Sequence, residues 1–232
     1  MNNKRRFFLI FIFIILDALL LIGYLVINEK TNKANISKEI KYLEKLDASK
    51  DRYNRRIKTT GEYGKIEKVI KKYLDDYAKD YQEVLSGMKD EKLTKILSYE
   101  NIEKDAFEFN ESFKYLKEKK DDTNKKIDSL IERSNKDKMT KYLKKNIKNS
   151  EYRDLAIKLM LSKNMIKSMD KNKEDIEKVR QKINKVIDTS TEVLTLLKDN
   201  KDICSLEDKQ VKIKSKQVFD KYNELISKIK EG

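Results

Sequence analysis

Asp75, Asp76 and Asp80 crowd one short stretch, and Asp76 and Asp80 stand four apart, on one face of a helix. Paired carboxylates can ligate a divalent cation or serve as acid and base. Lys71, Lys72 and Lys79 surround them, so the stretch also reads as a solvated, charge-paired helix face. The chain has no histidine, which removes the commonest general base and metal ligand. Gly61-Glu62-Tyr63-Gly64-Lys65 lacks the longer spacer and the trailing hydroxyl residue of a phosphate-binding loop. Cys204 is the one cysteine, which excludes an intramolecular disulfide and a thiolate zinc cluster and reads as a packed thiol. We expect no catalytic, cofactor-binding or metal site, and read the chain as a non-enzyme.

Three further groupings suit binding. Tyr63, Tyr73, Tyr77 and Tyr81 recur on one helical stripe. They offer a stacking surface for a sugar or partner, or a seam with hydroxyls at its edge. Lys136, Lys138, Lys141, Lys144, Lys145 and Lys148 face only Asp137, a local balance of six positive charges against one negative. With Met139, Tyr142, Leu143 and Ile147 they form a basic amphipathic helix, a candidate for an anionic surface or a lysine-rich outer face of a bundle. The third grouping is Asp17 with Tyr24, one face of an otherwise apolar run.

That run, residues 7–27, holds Phe, Leu, Ile or Val at 17 of 21 positions. As a helix it measures about 31 Å at ~1.5 Å per residue, enough for a hydrocarbon layer of about 30 Å. The apolar residues supply on the order of −5 to −10 kcal/mol of insertion free energy, and one central Asp opposes it by about 2.5–3.5 kcal/mol. Insertion wins. The run is longer than a signal-peptide core and Leu25-Val26-Ile27-Asn28 offers no small-residue cleavage site, so it reads as an uncleaved signal anchor. Asp17 and Tyr24 are then a candidate intramembrane contact with a partner or a second copy. Lys4, Arg5 and Arg6 precede the run, and long following domains translocate largely regardless of charge, which favours a cytoplasmic N-terminus.

The elements that would position these groups are helices. Charged residues make up 41% of the 232-residue chain, there is no proline, and there are five glycines, one of them last. So polar a chain folds only if its apolar residues fall on regular stripes. Ile36, Ile40, Leu43 and Leu46 give one stripe, ended near Thr59–Gly64, where Thr59 and Glu62 fit a capping box. Tyr63, Ile66, Ile70, Tyr73, Tyr77, Tyr81 and Val84 give the clearest, closed by Gly87. Further stripes run through Ile102–Leu130, with a break at Ser134-Asn135, through Leu155–Met169, capped by Asn149-Ser150, through Ile176–Leu197 and through Val218–Ile229. The segment 155–169 is apolar on more than one side and is the expected central helix, with a break at 170–173. No strand-period alternation stands out.

The expected fold is all-α: a single N-terminal transmembrane helix, then an extended or antiparallel helical bundle with coiled-coil-like seams. The expected divisions are a basic cytoplasmic tail (1–6), the anchor (7–27), a juxtamembrane helix (28–60) and a helical-bundle ectodomain (61–232). Net charge is +14. Residues 1–30 carry four cations against two acids, +2, which leaves +12 beyond them. Lysines interleave with acids and no recognition module is visible, so specific nucleic-acid binding is not expected. The expected partners are the lipid bilayer, a second copy or another membrane protein, and anionic envelope polymers. The expected role is a single-pass, membrane-anchored interaction scaffold of the bacterial cell envelope. The alternatives are a regulatory subunit signalling through a partner helix and a cytoplasmic-facing tethered coiled coil.

Overall fold

The structure is a computed structural model that describes residues 3–51, 53, 56–87 and 89–230, with side chains from residue 16 onward except 17 and 18. The chain is mostly helical, in keeping with the all-α expectation. It divides into two compact units, each drawn from separated stretches. The first comprises Met1–Leu46, Tyr53–Asp75 and Met139–Ile166. The second comprises Asp47–Arg52, Asp76–Lys138 and Lys167–Gly232.

The first unit is organised on α1 (Asn3–Leu43) and the opening half of α2 (Gly61–Gly87). Residues 19–27 of α1 are exposed, Asn28 is partly buried, and burial then recurs at Asn32, Ile36, Ile40 and Leu43, a one-face stripe. The helical part of the expected 28–60 segment ends at Leu43, and the described residues of 44–60 form turns and irregular chain. The capping box expected at Thr59 and Glu62 does not form: the Thr59 hydroxyl donates to Glu67, and Glu62 pairs with Lys65. Gly64 is needed because a Cβ there would sit 2.9 Å from the Thr59 carbonyl oxygen. Helices α6 (Lys136–Asn146) and α7 (Ser150–Met160) complete the unit, α7 capped by the Asn149 side chain as expected. Tyr63 meets Tyr152 edge-on at 5.3 Å and Tyr73 meets Tyr142 at 4.8 Å, so the tyrosine stripe fastens α2 to α7 and α6.

The expected helix through 155–169 is divided. Leu161 closes α7, and Ser162 caps the start of α8 (Lys163–Asp199) by accepting from the Met165 amide. The expected break at 170–173 is absent. Asp170 to Lys173 contain neither glycine nor proline, and Met169 and Ile176 stay on the buried stripe.

The second unit is built on α5 (Asn110–Arg133) against α8. Arg180 pairs with Asp128, Asn184 with Asn124, Lys120 with Asp188 and Lys198 with Asn110. As positions rise along α8 they fall equally along α5, the register of an antiparallel helix pair. Apolar residues fill the seam: Leu116, Ile127 and Leu130 on α5, Ile176, Ile183, Ile187, Leu194 and Leu197 on α8. The short helices α3 (Glu91–Thr94) and α4 (Tyr99–Asp105), capped by Asp90 and Ser98, lead into α5. At the turn between α4 and α5, Ala106, Phe107 and Phe109 have positive φ. Phe109 holds this strained turn by burying its ring fully against Phe107 and Phe113.

Sequence patterning misses an antiparallel hairpin, β1 (Cys204–Glu207) with β2 (Gln210–Ile213). Cys204 pairs with Ile213 and Leu206 with Val211, and all four pack on the core beside α9 (Lys216–Lys230).

Candidate functional site

Two regions of α1 differ sharply. Residues 19–22 and 24–27 expose large apolar side chains on every side of the helix, from 45% at Val26 to 71% at Leu20. Tyr24 is 66% exposed, on this girdle, and Gly23 opens it further, with nothing within 4 Å of a built Cβ. Asp17 lies outside the described side chains, as do residues 7–15 and 18 of the expected span. Among the described residues, no helix is long and apolar enough to cross a membrane.

The other region is a buried polar clamp, residues 28–39 of α1 against the 56–60 strap and α2. Asn32 is nearly buried. Its Oδ1 accepts from the Thr60 amide at 2.9 Å and its Nδ2 donates to Thr60 Oγ1 at 3.1 Å and to the Asn28 carbonyl at 3.0 Å. One turn further in, Lys71, 1% exposed, donates to the Arg56 carbonyl at 2.7 Å and pairs with Glu67 at 2.6 Å and Glu39 at 2.8 Å. Lys58 closes the cluster from its outer side, 2.6 Å from the second Glu39 oxygen. Glu67 also accepts from the Lys58 amide at 3.0 Å, the Thr59 amide at 2.9 Å and the Thr59 hydroxyl at 2.7 Å. Two lysines balance two glutamates, so the cluster is neutral and its backbone groups are satisfied.

Burial raises the affinity of Glu67 for a proton. The hydrogen bonds from Lys71, Thr59 and the Lys58 amide outweigh it, and the carboxyl titrates below its usual range. Glu39 follows the same balance, burial opposed by Lys58 and Lys71 with a net lowering. Both carboxyls are therefore ionised at neutral pH. Sequence patterning singles out none of Asn32, Glu39 and Glu67, and its reading of Lys71 as part of a solvated face is corrected, since Lys71 is buried against Glu39 and Glu67. The available signal was the placement of Glu67 and Lys71 directly beside Ile66 and Ile70, on a helix whose burial wraps more than half its circumference.

The other candidates are placed as follows. Lys136, Lys138, Lys141, Lys144, Lys145 and Lys148 are all exposed, and Lys138 pairs with Glu132 at 2.5 Å. Met139, Leu143 and Ile147 are buried, so the apolar side of this amphipathic segment is already used in packing. What remains outward is a face of ammonium groups. Tyr63, Tyr73, Tyr77 and Tyr81 are each no more than 6% exposed, seam residues, and burial pushes the Tyr81 phenol up to about 12. Asp75 is buried and Asp80 pairs with Arg133 at 3.2 Å. Cys204 is half-buried, and burial raises its thiol pKa, which lowers its reactivity.

Comparison with protein-family models, curated proteins and solved structures finds no match.

Proposed function

We propose that this protein is a single-pass, membrane-anchored helical scaffold of the bacterial cell envelope. Residues 7–27 would be the anchor, residues 1–6 the cytoplasmic tail, and the remainder extracytoplasmic. The observation that carries this reading is the change in exposure along α1. Apolar side chains face outward in every direction through Ile27, and one-face burial begins at Asn28. Water tolerates isolated exposed leucines but not a contiguous all-round girdle, which calls for lipid or protein around it.

The clamp gives the anchor a mechanical purpose. α1 continues unbroken from Asn3 to Leu43, and Asn32 and Glu39 fasten it to the strap and α2 shortly after the girdle. A helix held at one end by lipid and at the other by a buried ion cluster fixes the first unit to the bilayer. The same continuity supports a second reading, a regulatory subunit that passes force or rotation through α1 to a partner helix, with Asp17 and Tyr24 as the contact. The exposed lysines of 136–148 supply loose attraction to anionic envelope polymers.

The test is membrane fractionation of the expressed full chain. Retention through alkaline carbonate, release by detergent, and loss of retention when Leu20, Leu21 and Leu25 are all changed to Asp support the reading. Release of the unaltered chain by carbonate alone contradicts it.

A further inference from the structure

We propose that the second unit carries a binding site for a single-chain anionic amphiphile, a fatty-acid-like molecule. Its acyl chain would lie in an apolar cavity and its carboxylate would meet Lys182 and Lys230. The cavity has a volume of about 430 Å³. That falls within the ~300–1,000 Å³ range of small-molecule sites.

Three elements wall it. α8 contributes Ile183 and Val186 with Ser190, α9 contributes Ile226 and Ile229, and the α3 turn contributes Leu93 and Ile96. Ile183, Leu93, Ile96 and Ser190 are buried and make the floor, whereas Val186, Ile226 and Ile229 are only half-buried and make the walls. α9 commits Leu225 fully to the core but leaves Ile226 and Ile229 without complete cover. Aliphatic walls of this kind recognise a flexible hydrocarbon chain, since each buried methylene contributes about 0.8 kcal/mol without directional demands.

Charge selects the head group. Among the described residues, the charged side chains lining the cavity are Lys182 and Lys230, and no acid lines it. Both are exposed, and among the described residues neither forms an ion pair, although Lys178, Lys198, Lys221 and Lys228 nearby in sequence all do. Two available ammonium groups on an apolar cavity complement a carboxylate or phosphate on a hydrocarbon chain and repel a cationic amphiphile. An apolar partner helix would gain nothing from either lysine.

The experiment uses the full chain in nanodiscs of zwitterionic lipid and a dodecanoate probe with a photoreactive diazirine at the chain end. Labelled peptides are mapped by mass spectrometry. We expect labelling within residues 93–97, 183–190 and 226–229. Combined Lys182→Glu and Lys230→Glu, both surface changes, should reduce it about fivefold, and the matching dodecanol probe should label as weakly. Val186→Trp, which fills the cavity, should abolish it. The proposal is overturned if the alcohol labels these peptides equally or if charge reversal changes nothing. It is also overturned if these peptides stay unlabelled while residues 7–27 react, the outcome for a groove that takes a partner helix or for a probe confined to the bilayer.

Discussion

The two units draw on the same lysine-rich alphabet and place their charges oppositely. In the first unit Lys71, Glu67 and Glu39 lie inside, between 0 and 4% exposed, and they fix a strap of backbone. In the second, Lys120 with Asp188 and Arg180 with Asp128 border an aliphatic seam and remain in contact with water. Buried ions in good geometry specify one arrangement and penalise every other, whereas rim pairs set register at little energetic consequence. The stiff, ion-locked arrangement sits next to the apolar girdle of α1, where a defined angle between helix and strap would matter to an anchored protein.

Lys71→Ala should give the largest effect. It strands Glu39 and Glu67 without their shared cation and should destabilise the first unit by about 3–5 kcal/mol. Hydrogen exchange at the Lys58 and Thr59 amides reads this directly, because both donate to Glu67. Retained protection at those two amides would mean that the cluster is ornamental.

Acid should act next, and selectively. Glu39 and Glu67 have folded pKa values below the ordinary 4.5, so their stabilisation is fully present above that value and is lost as pH falls through the folded values. In the second unit, burial tends to raise the pKa of Asp90, but the Lys119 ammonium at 2.6 Å and the Leu93 amide hold it at about 2. Exchange measured at stepwise lower pH should therefore show the 58–59 amides losing protection in acid as Glu39 and Glu67 take up protons. Protection at those amides that does not change with acid would contradict the ion lock.

Asp188→Ala should do least. Its partner Lys120 is exposed enough to be hydrated instead, and the expected loss is about 0.2–1 kcal/mol by denaturant titration. A loss as large as that of Lys71→Ala would remove the distinction between interior and rim charge.

Much of this architecture is legible in the sequence. The stripes from Tyr63 to Val84 and from Ile176 to Leu197 are read correctly because three–four spacing survives any loop arrangement, and Gly87, Ser134-Asn135 and Asn149 mark real helix ends. The clamp is not legible, because Glu67 and Lys71 at i, i+4 look like any solvated pair until the 56–60 strap covers them. The hairpin escapes because its turn is Asp208-Lys209, both at positive φ, in place of the Asn-Gly or Asp-Gly pair that announces such turns. α8 runs through its polar stretch because Met169 and Ile176 keep its buried stripe continuous across it and no glycine or proline interrupts it. The clamp is a long-range partnership that local patterning does not contain, and the hairpin is a local turn outside the dipeptides that announce one.

The anchor is the central claim, and a cysteine scan along α1 tests it most directly. Cys204→Ser gives a thiol-free background, and single cysteines replace Leu21, Tyr24, Ile27, Lys30 and Lys33 in turn, all exposed positions. A membrane-impermeant thiol reagent is applied to intact cells. The account predicts protection at Leu21 and Tyr24, a transition at Ile27, and full labelling from outside at Lys30 and Lys33. Uniform labelling across the five positions would contradict it, and so would labelling at Lys30 and Lys33 that appears only after lysis.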